Sequence, residues 1–370
     1  MNPARPRRLA ALVLPVLLAA TAGLTGSPAT AAPAPGTVLT ATSATLPPEL
    51  APLATGKRIQ YLTTDLKGAS IPATGLVLTP KSGKTNRTVV WSHGTTGLAD
   101  QCAPSANRAV FWPEARAAIA ALLRKGWTVT APDYPGLGTA LPHPYLVGNS
   151  EGRSIIDSVK AARNLDSALT TEYAVDGHSQ GGQGALFAGE LAPSYDGALV
   201  LKGVAAIAPA SNLDQIAPVI PGSPGQGYLV MAMYGIQAVE PTFVPSLYLA
   251  APARARTTVI DTGCLYEILD SYAPLAPAEL VPNGVVPRPV LAKLAQYGNP
   301  GGTPSSAPIL IVQGTADDAV PYDITAYVLV PQLQKYAQPV EFVTLDGETH
   351  DGAVFASTDR VATWIAARFG

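Results

Sequence analysis

The stretch "YAVDGHSQGGQGAL", residues 173–186, sets Ser179 inside Gly177-His178-Ser179-Gln180-Gly181, between an apolar run and an Ala/Leu-rich run. The spacing is G-x-S-x-G. With a strand before it and a helix after it, that spacing puts the serine on a strained strand-to-helix turn with its hydroxyl raised above the sheet. Backbone N–H groups at the start of the helix favour negative charge developing beside that hydroxyl. A serine attacks a carbonyl only when a base takes its proton. The four histidines are His93, His143, His178 and His350. His178 adjoins the serine, and on so tight a turn its side chain is expected to point away. His93 closes a strand, and His143 lies in the proline-bounded "LPHPY". His350, in "LDGETHDGAV", follows the last apolar strand and precedes the last helix, the place of the base when the order is serine, acid, histidine.

The acid belongs between those two. "PILIVQGTADDAVPY" offers Asp317, in the loop after "ILIVQG", with the adjacent Asp318 as the alternative. A carboxylate there accepts the imidazole N–H, fixes the tautomer and stabilises the imidazolium. An oxyanion needs two donors, one of them the backbone N–H of the residue after the serine, Gln180. The other is expected from the loop after "TVVW", which reads "SHGTTGLAD": the N–H of Thr95 behind Gly94, or that of Thr96.

These residues need a scaffold, and the chain alternates apolar runs with helical stretches. "RIQYLTTD", "ATGLVLTP", "RTVVWSHG", "WTVTAPDYPGLG", "YAVDG", "LKGVAAIAP", "APILIVQG" and "PVEFVTLDG" read as strands. "AVFWPEARAAIAALLRKG", "SEGRSIIDSVKAARNL" (with Ser150 as its cap), "GGQGALFAGELA", "YDITAYVLVPQLQKY" and "FASTDRVATWIAARF" read as helices. Such alternation predicts an α/β fold, a mostly parallel central sheet flanked by helices. The rhythm breaks over about 212–305, expected to be a helical lid inserted over the strands' C-terminal edge, where such sheets bind ligands. "GYLVMAMYGIQAVEPTFVPSLYLAAP" in that insertion is strongly apolar. Most of it should pack the lid onto the core, and some should line an acyl-binding space.

The start, "MNPARPRRLAALVLPVLLAATAGLTGSPATAAPAPG", has the layout of a secretory signal peptide, cut near Ala31 or Ala32. The expected organisation is therefore a leader over 1–31, an extension over 32–56 and one catalytic domain over 57–370. The apolar run is shorter than the roughly 20 residues a membrane span needs. A net charge of −2, with no Lys/Arg cluster left after leader removal, argues against nucleic-acid partners. Cys102 and Cys264 are the two cysteines, and an even pair in an exported protein most simply forms one disulfide, two buried thiols being the alternative. With no His/Cys cluster, no metal or other cofactor is called for.

Taken together, "VVWSHGTTG", "CAPS" at 102–105, "PDYPGLG", "HPYLVGNSEGRSIIDSVKAAR", "DGHSQGGQGAL", "GTADDAVPY" and "THDG" resemble the secretory lipase family (lipase-A-like) of α/β hydrolases, over nearly the whole mature chain. The resemblance implies an α/β-hydrolase core with a helical lid and hydrolysis of lipid-like acyl esters. It implies catalytic roles for Ser179, Asp317 and His350, and oxyanion donors at Gln180 and the "HGTT" loop. It also implies a bridge from the "CAPS" cysteine to one in the lid, Cys102 to Cys264. The expectation is a secreted, monomeric serine carboxylester hydrolase, a lipase or esterase, whose lid touches a lipid interface transiently. An acyltransferase or peptidase on the same three residues is the alternative, and a binding module on a hydrolase fold is a third reading.

Overall fold

The structure, a computed structural model, describes Met1 and residues 33–370. The expected signal peptide falls outside the described residues apart from Met1, and the fold is built by Pro33–Gly370. Nine strands form one sheet: β1 (Val38–Ala44), β2 (Ala54–Thr64), β3 (Ser70–Pro80), β4 (Thr88–Ser92), β5 (Thr128–Pro135), β6 (Glu172–His178), β7 (Val200–Ile207), β8 (Ile309–Gly314) and β9 (Val340–Leu345). Their order is β1-β2-β3-β5-β4-β6-β7-β8-β9. The first three and β5 pair antiparallel, and from β5 to β9 every pairing is parallel. Parallel strands are buried on both faces, and β4, β5, β6 and β8 are buried along almost their whole length. The stretch before Lys57 adds β1, whose Ala41 pairs with Ile59.

The pleat divides the core in two. On one face Val89, Trp91, Ala205 and Val312 pack with helix α1 (Pro113–Arg124) and the C-terminal helix Gly352–Phe369. On the other, Val90, Val175, Ala206 and Ile311 pack with α2 (Gly148–Leu165) and α3 (Gln180–Tyr195). Helix α2 starts two residues before Ser150, the expected cap. Ser150 is buried in its first turn, and the carboxyl oxygen of Glu151 accepts from the Leu146 N–H at 3.1 Å, doing locally what a capping side chain would do.

Between β7 and β8 the chain leaves the sheet and builds a helical cap, chiefly Gln226–Val239, Leu265–Tyr272 and Arg288–Gly298. The cap has its own apolar centre, with Leu229, Met231, Met233, Phe243, Ile268 and Tyr272 buried. Gln226 ties its helices together, its Nε2 donating to the carbonyls of Tyr272 at 3.0 Å and Leu275 at 2.9 Å. Among the described residues no helix is long and apolar enough to cross a membrane.

Candidate active site

Strand β6 runs straight into α3, and the junction is Ser179 at φ 57°, ψ −118°. A non-glycine residue with positive φ is strained, and such strain persists only where the surroundings hold it. Here its N–H donates to Ile207 O at 2.9 Å, and its carbonyl accepts from Gln183 N at 3.0 Å and Ala210 N at 3.1 Å. The flanking glycines follow from the same crossing. A Cβ on Gly177 would meet the Gly181 carbonyl, and one on Gly181 would meet the Ser92 carbonyl.

The loop after β8 holds Asp317, whose side chain is fully shielded from solvent. Its Oδ2 accepts from His350 Nδ1 at 2.8 Å and from Gln313 Nε2 at 2.8 Å. Its Oδ1 accepts from the backbone N–H groups of Ala319 and Val320 at 2.9 and 2.8 Å. Asp318, the alternative, is exposed and has no such bond to His350. The Nδ1–Oδ2 bond leaves the other ring nitrogen of His350 free for the cavity it lines with Ser179. Burial opposes a charge on His350, but the hydrogen bond and charge of Asp317 outweigh it and raise its pKa above the usual histidine value. No hydrogen bond joins Ser179 Oγ to His350 in this structure. In unliganded sites that contact is often long and tightens when substrate binds.

His178 does not point away from the site. Its ring lies 4.5 Å from that of His350, and its Nε2–H donates to the His350 carbonyl at 3.2 Å. The turn swings the side chain before the serine toward the loop after β9, so it props the ring and backbone of His350. Burial, then the charge of His350, hold His178 well below the usual histidine pKa, so the prop is neutral.

Thr95 is on the cavity wall and Thr96 is not. Thr95 is held from two sides: Trp112 Nε1 donates to its carbonyl at 3.1 Å, and its hydroxyl bonds the Tyr145 hydroxyl at 2.7 Å. The Thr96 carbonyl accepts from Leu265 N of the cap at 2.9 Å. Gln180 turns its side chain inward, its Nε2 donating to Glu151 Oε1 at 2.9 Å and to His143 Nε2 at 3.1 Å. His143 can accept because its Nδ1–H donates to the Pro135 carbonyl at 2.7 Å, and burial drives its pKa down to about 3. Burial raises Glu151 to about 8, which keeps it uncharged at neutral pH. Cys102 and Cys264 form the expected disulfide, with Cα atoms 5.5 Å apart.

Above these groups lies a cavity of about 500 Å³, walled by Leu146, Leu213, Leu229 and Leu265 and by the aromatic rings of Trp112 and Tyr266. The contacts made by His178, Trp112 and Glu151, and the place of Glu114 on the cavity wall, do not emerge from the sequence. Only "FWPE" carries a signal for two of them, since a proline at a helix start places its neighbours at a fixed point on the first turn.

A family model described as secretory lipase matches residues 113–370, more than half of the chain and all the elements from α1 onward. The chain belongs to the secretory lipase family. Secreted triacylglycerol lipase LIP4 of Malassezia globosa is 27% identical over 319 residues, 79% of this chain and 68% of that protein. Lipase 10 of Candida albicans is 26% identical over 276 residues, 68% of this chain and 57% of that protein. Among solved structures, Candida antarctica lipase A in its closed state superposes with a TM-score of 0.76 at 21% identity, covering 91% of this chain and 82% of that one. The rice cell wall degrading esterase LipA from Xanthomonas oryzae gives 0.72 at 22% identity, covering 91% and 98%. The fold of this family member is thus the α/β-hydrolase fold, with the cap as its insertion between β7 and β8.

Proposed function

We propose that this chain is a secreted serine carboxylester hydrolase working through an acyl-enzyme on Ser179. His350 Nε2 takes the Ser179 proton as Oγ attacks the ester carbonyl, Asp317 holds His350 in the tautomer that leaves Nε2 free, and the oxyanion settles against the N–H groups of Gln180 and Thr95. The imidazolium then protonates the departing alkoxide. Water, deprotonated by the same ring, attacks the acyl-enzyme, and Ser179 recovers its proton as the acid leaves. The observation that carries the reading is the 2.8 Å His350–Asp317 bond at the floor of an apolar cavity whose wall includes the strained Ser179. Secretion is proposed on the leader-like N-terminus and on the names of the relatives, and lipid esters as substrates on the same names and the apolar walls.

The test is turnover of a p-nitrophenyl ester series of rising acyl length by wild type and Ser179→Ala. Wild type should hydrolyse the series, and the variant should lose about 10³-fold or more in kcat. Full activity in the variant defeats the assignment. Acyl transfer to an added alcohol in water would direct the reading to the transferase alternative.

A further inference from the structure

Resting on the reading just given, the geometry points to a preference within the ester class: we infer that the cavity takes esters whose alcohol carries a quaternary ammonium or similar cation, held by Trp112, Tyr266 and Glu114. Trp112 and Tyr266 both line the cavity, their ring centroids 5.3 Å apart and their planes at 67°. Aromatic rings at a concave surface attract a cation through their electron-rich faces, while their edges carry the opposite partial charge. Trp112 is fixed by its Nε1 bond to the Thr95 carbonyl, which places the ring next to the loop proposed to receive the oxyanion.

Glu114 sits two residues on, in the first turn of α1, and also lines the cavity. It is only 6% exposed, yet among the described residues it makes no ion pair and no hydrogen bond to another residue. Its one hydrogen-bond partner is its own backbone N–H, and burial disfavours its charged form, a cost that a cationic ligand in the cavity offsets. The charged groups facing it are Asp351, His350 and Arg116. Arg116 is not on the cavity wall and is paired with Glu49 at 3.0 Å. Asp318 and Asp351 add negative charge at the rim, and no lysine or arginine lines the cavity. The rim acids are exposed and screened by salt, so most of the electrostatic selection falls to Glu114.

The chemistry is ordinary ester hydrolysis: the acyl–oxygen bond breaks, Ser179 Oγ takes the acyl group, and the cationic alcohol leaves with the proton from His350. Water then completes the cycle. What differs is where the alcohol rests before and after the step.

The experiment compares kcat/KM for butyrylcholine and for 3,3-dimethylbutyl butyrate, the neutral isostere with carbon in place of nitrogen, at pH 8 and low salt. The second measurement is inhibition of p-nitrophenyl butyrate turnover by choline in wild type. The expected result is a ratio of about tenfold or more in favour of the cation, competitive inhibition by choline, and a ratio falling toward one in Glu114→Gln and Trp112→Leu. A wild-type ratio of one or below overturns the inference. So does an unchanged ratio in both variants, or no inhibition by choline. Should either variant fail to fold, the wild-type ratio and the choline inhibition decide alone. Failure of p-nitrophenyl butyrate turnover itself would strike the general reading, a separate outcome.

Discussion

Replacing both cysteines, as Cys102→Ala with Cys264→Ala, tests how the cap is attached. The bridge spans 162 residues of sequence. Closing a loop of that length removes denatured-state chain entropy equivalent to about 5 kcal/mol at 25 °C. With unfolding entropy of about 2.1 cal/mol/K per residue over the described chain, this corresponds to a Tm fall of about 7 °C. The native contacts at the bridge do not reduce the figure, because they vanish on unfolding with or without the covalent link. They do say what else should change. Gly97 pairs with Cys264 in a β-bridge, Leu265 N donates to the Thr96 carbonyl, and Thr95 is on the cavity wall. Loosening the link therefore loosens the loop proposed to bind the oxyanion. The assay is thermal melting of wild type and double variant without reductant, with kcat/KM on p-nitrophenyl butyrate measured well below both transitions. A Tm change under about 2 °C refutes the loop-entropy reasoning. An unchanged kcat/KM refutes the coupling of bridge to oxyanion loop.

Asp317→Asn should lower kcat by about 10³- to 10⁴-fold, because an amide at the Oδ2 position sets N–H against N–H or flips the His350 tautomer, while Asp318→Asn should stay within about fivefold. Initial rates on one ester compare the two. The base works unprotonated, so kcat/KM should rise with pH through a midpoint above 6.5, since Asp317 outweighs burial in setting the His350 pKa, and the midpoint should fall in Asp317→Asn. A pH–rate profile reads both. Glu151→Ala leaves Leu146 N without its acceptor and Gln180 Nε2 with only His143, and should destabilise by about 2–4 kcal/mol in urea unfolding. Glu151→Gln keeps an oxygen for both donors and replaces a carboxyl already neutral at pH 7, so it should differ from wild type by only about 1 kcal/mol there.

The scaffold was legible because parallel strands, buried on both faces, leave long apolar runs between helical periods. β4, β6 and β8 sit where "TVVWS", "YAVDG" and "ILIVQG" place them. The positions of Ser179, Asp317 and His350 in the fold were legible for the same reason: each lies in the turn or loop that follows a strand's C-terminal end, and a parallel sheet brings those ends to one edge. β1 was not legible, since "VLTATSA" mixes hydroxyl residues with small apolar ones and is exposed at most positions at the sheet margin, which leaves no periodicity to detect. His178 was misread because local turn geometry alone was applied to it. The direction of its ring is decided by the loop after β9, which is 172 residues away and closes over it. Glu151 looks like one more acid on an amphipathic helix. Only the fold shows that the buried face of α2 passes beneath Gln180. The cap defeats periodicity reading for a different reason: its helices are short, many start at proline, and they bury their apolar sides against each other, so no single face repeats.

The loop proposed to hold the oxyanion is where these separate pieces meet. Four contacts from three elements grip residues 95–102: Trp112 from the start of α1, Tyr145 from the loop before α2, and from the cap both Leu265 and, through the disulfide, Cys264. A donor aimed at a developing charge stabilises it fully only if it need not reorganise during the reaction. A glycine-containing loop of that length would not hold its N–H groups still without help. Its rigidity therefore comes from the neighbours, and two of the four belong to the cap. A cap movement that lifted Leu265 would break the Thr96–Leu265 bond and disturb the donor it is meant to serve. A cap opening that preserved this loop would leave the 264–265 end in place and displace other parts of the insertion. The stretch from Ile216 to Gly225 meets that requirement. It lines the cavity, exposes Val219 at 69%, and is joined to the oxyanion loop by no hydrogen bond among the described residues.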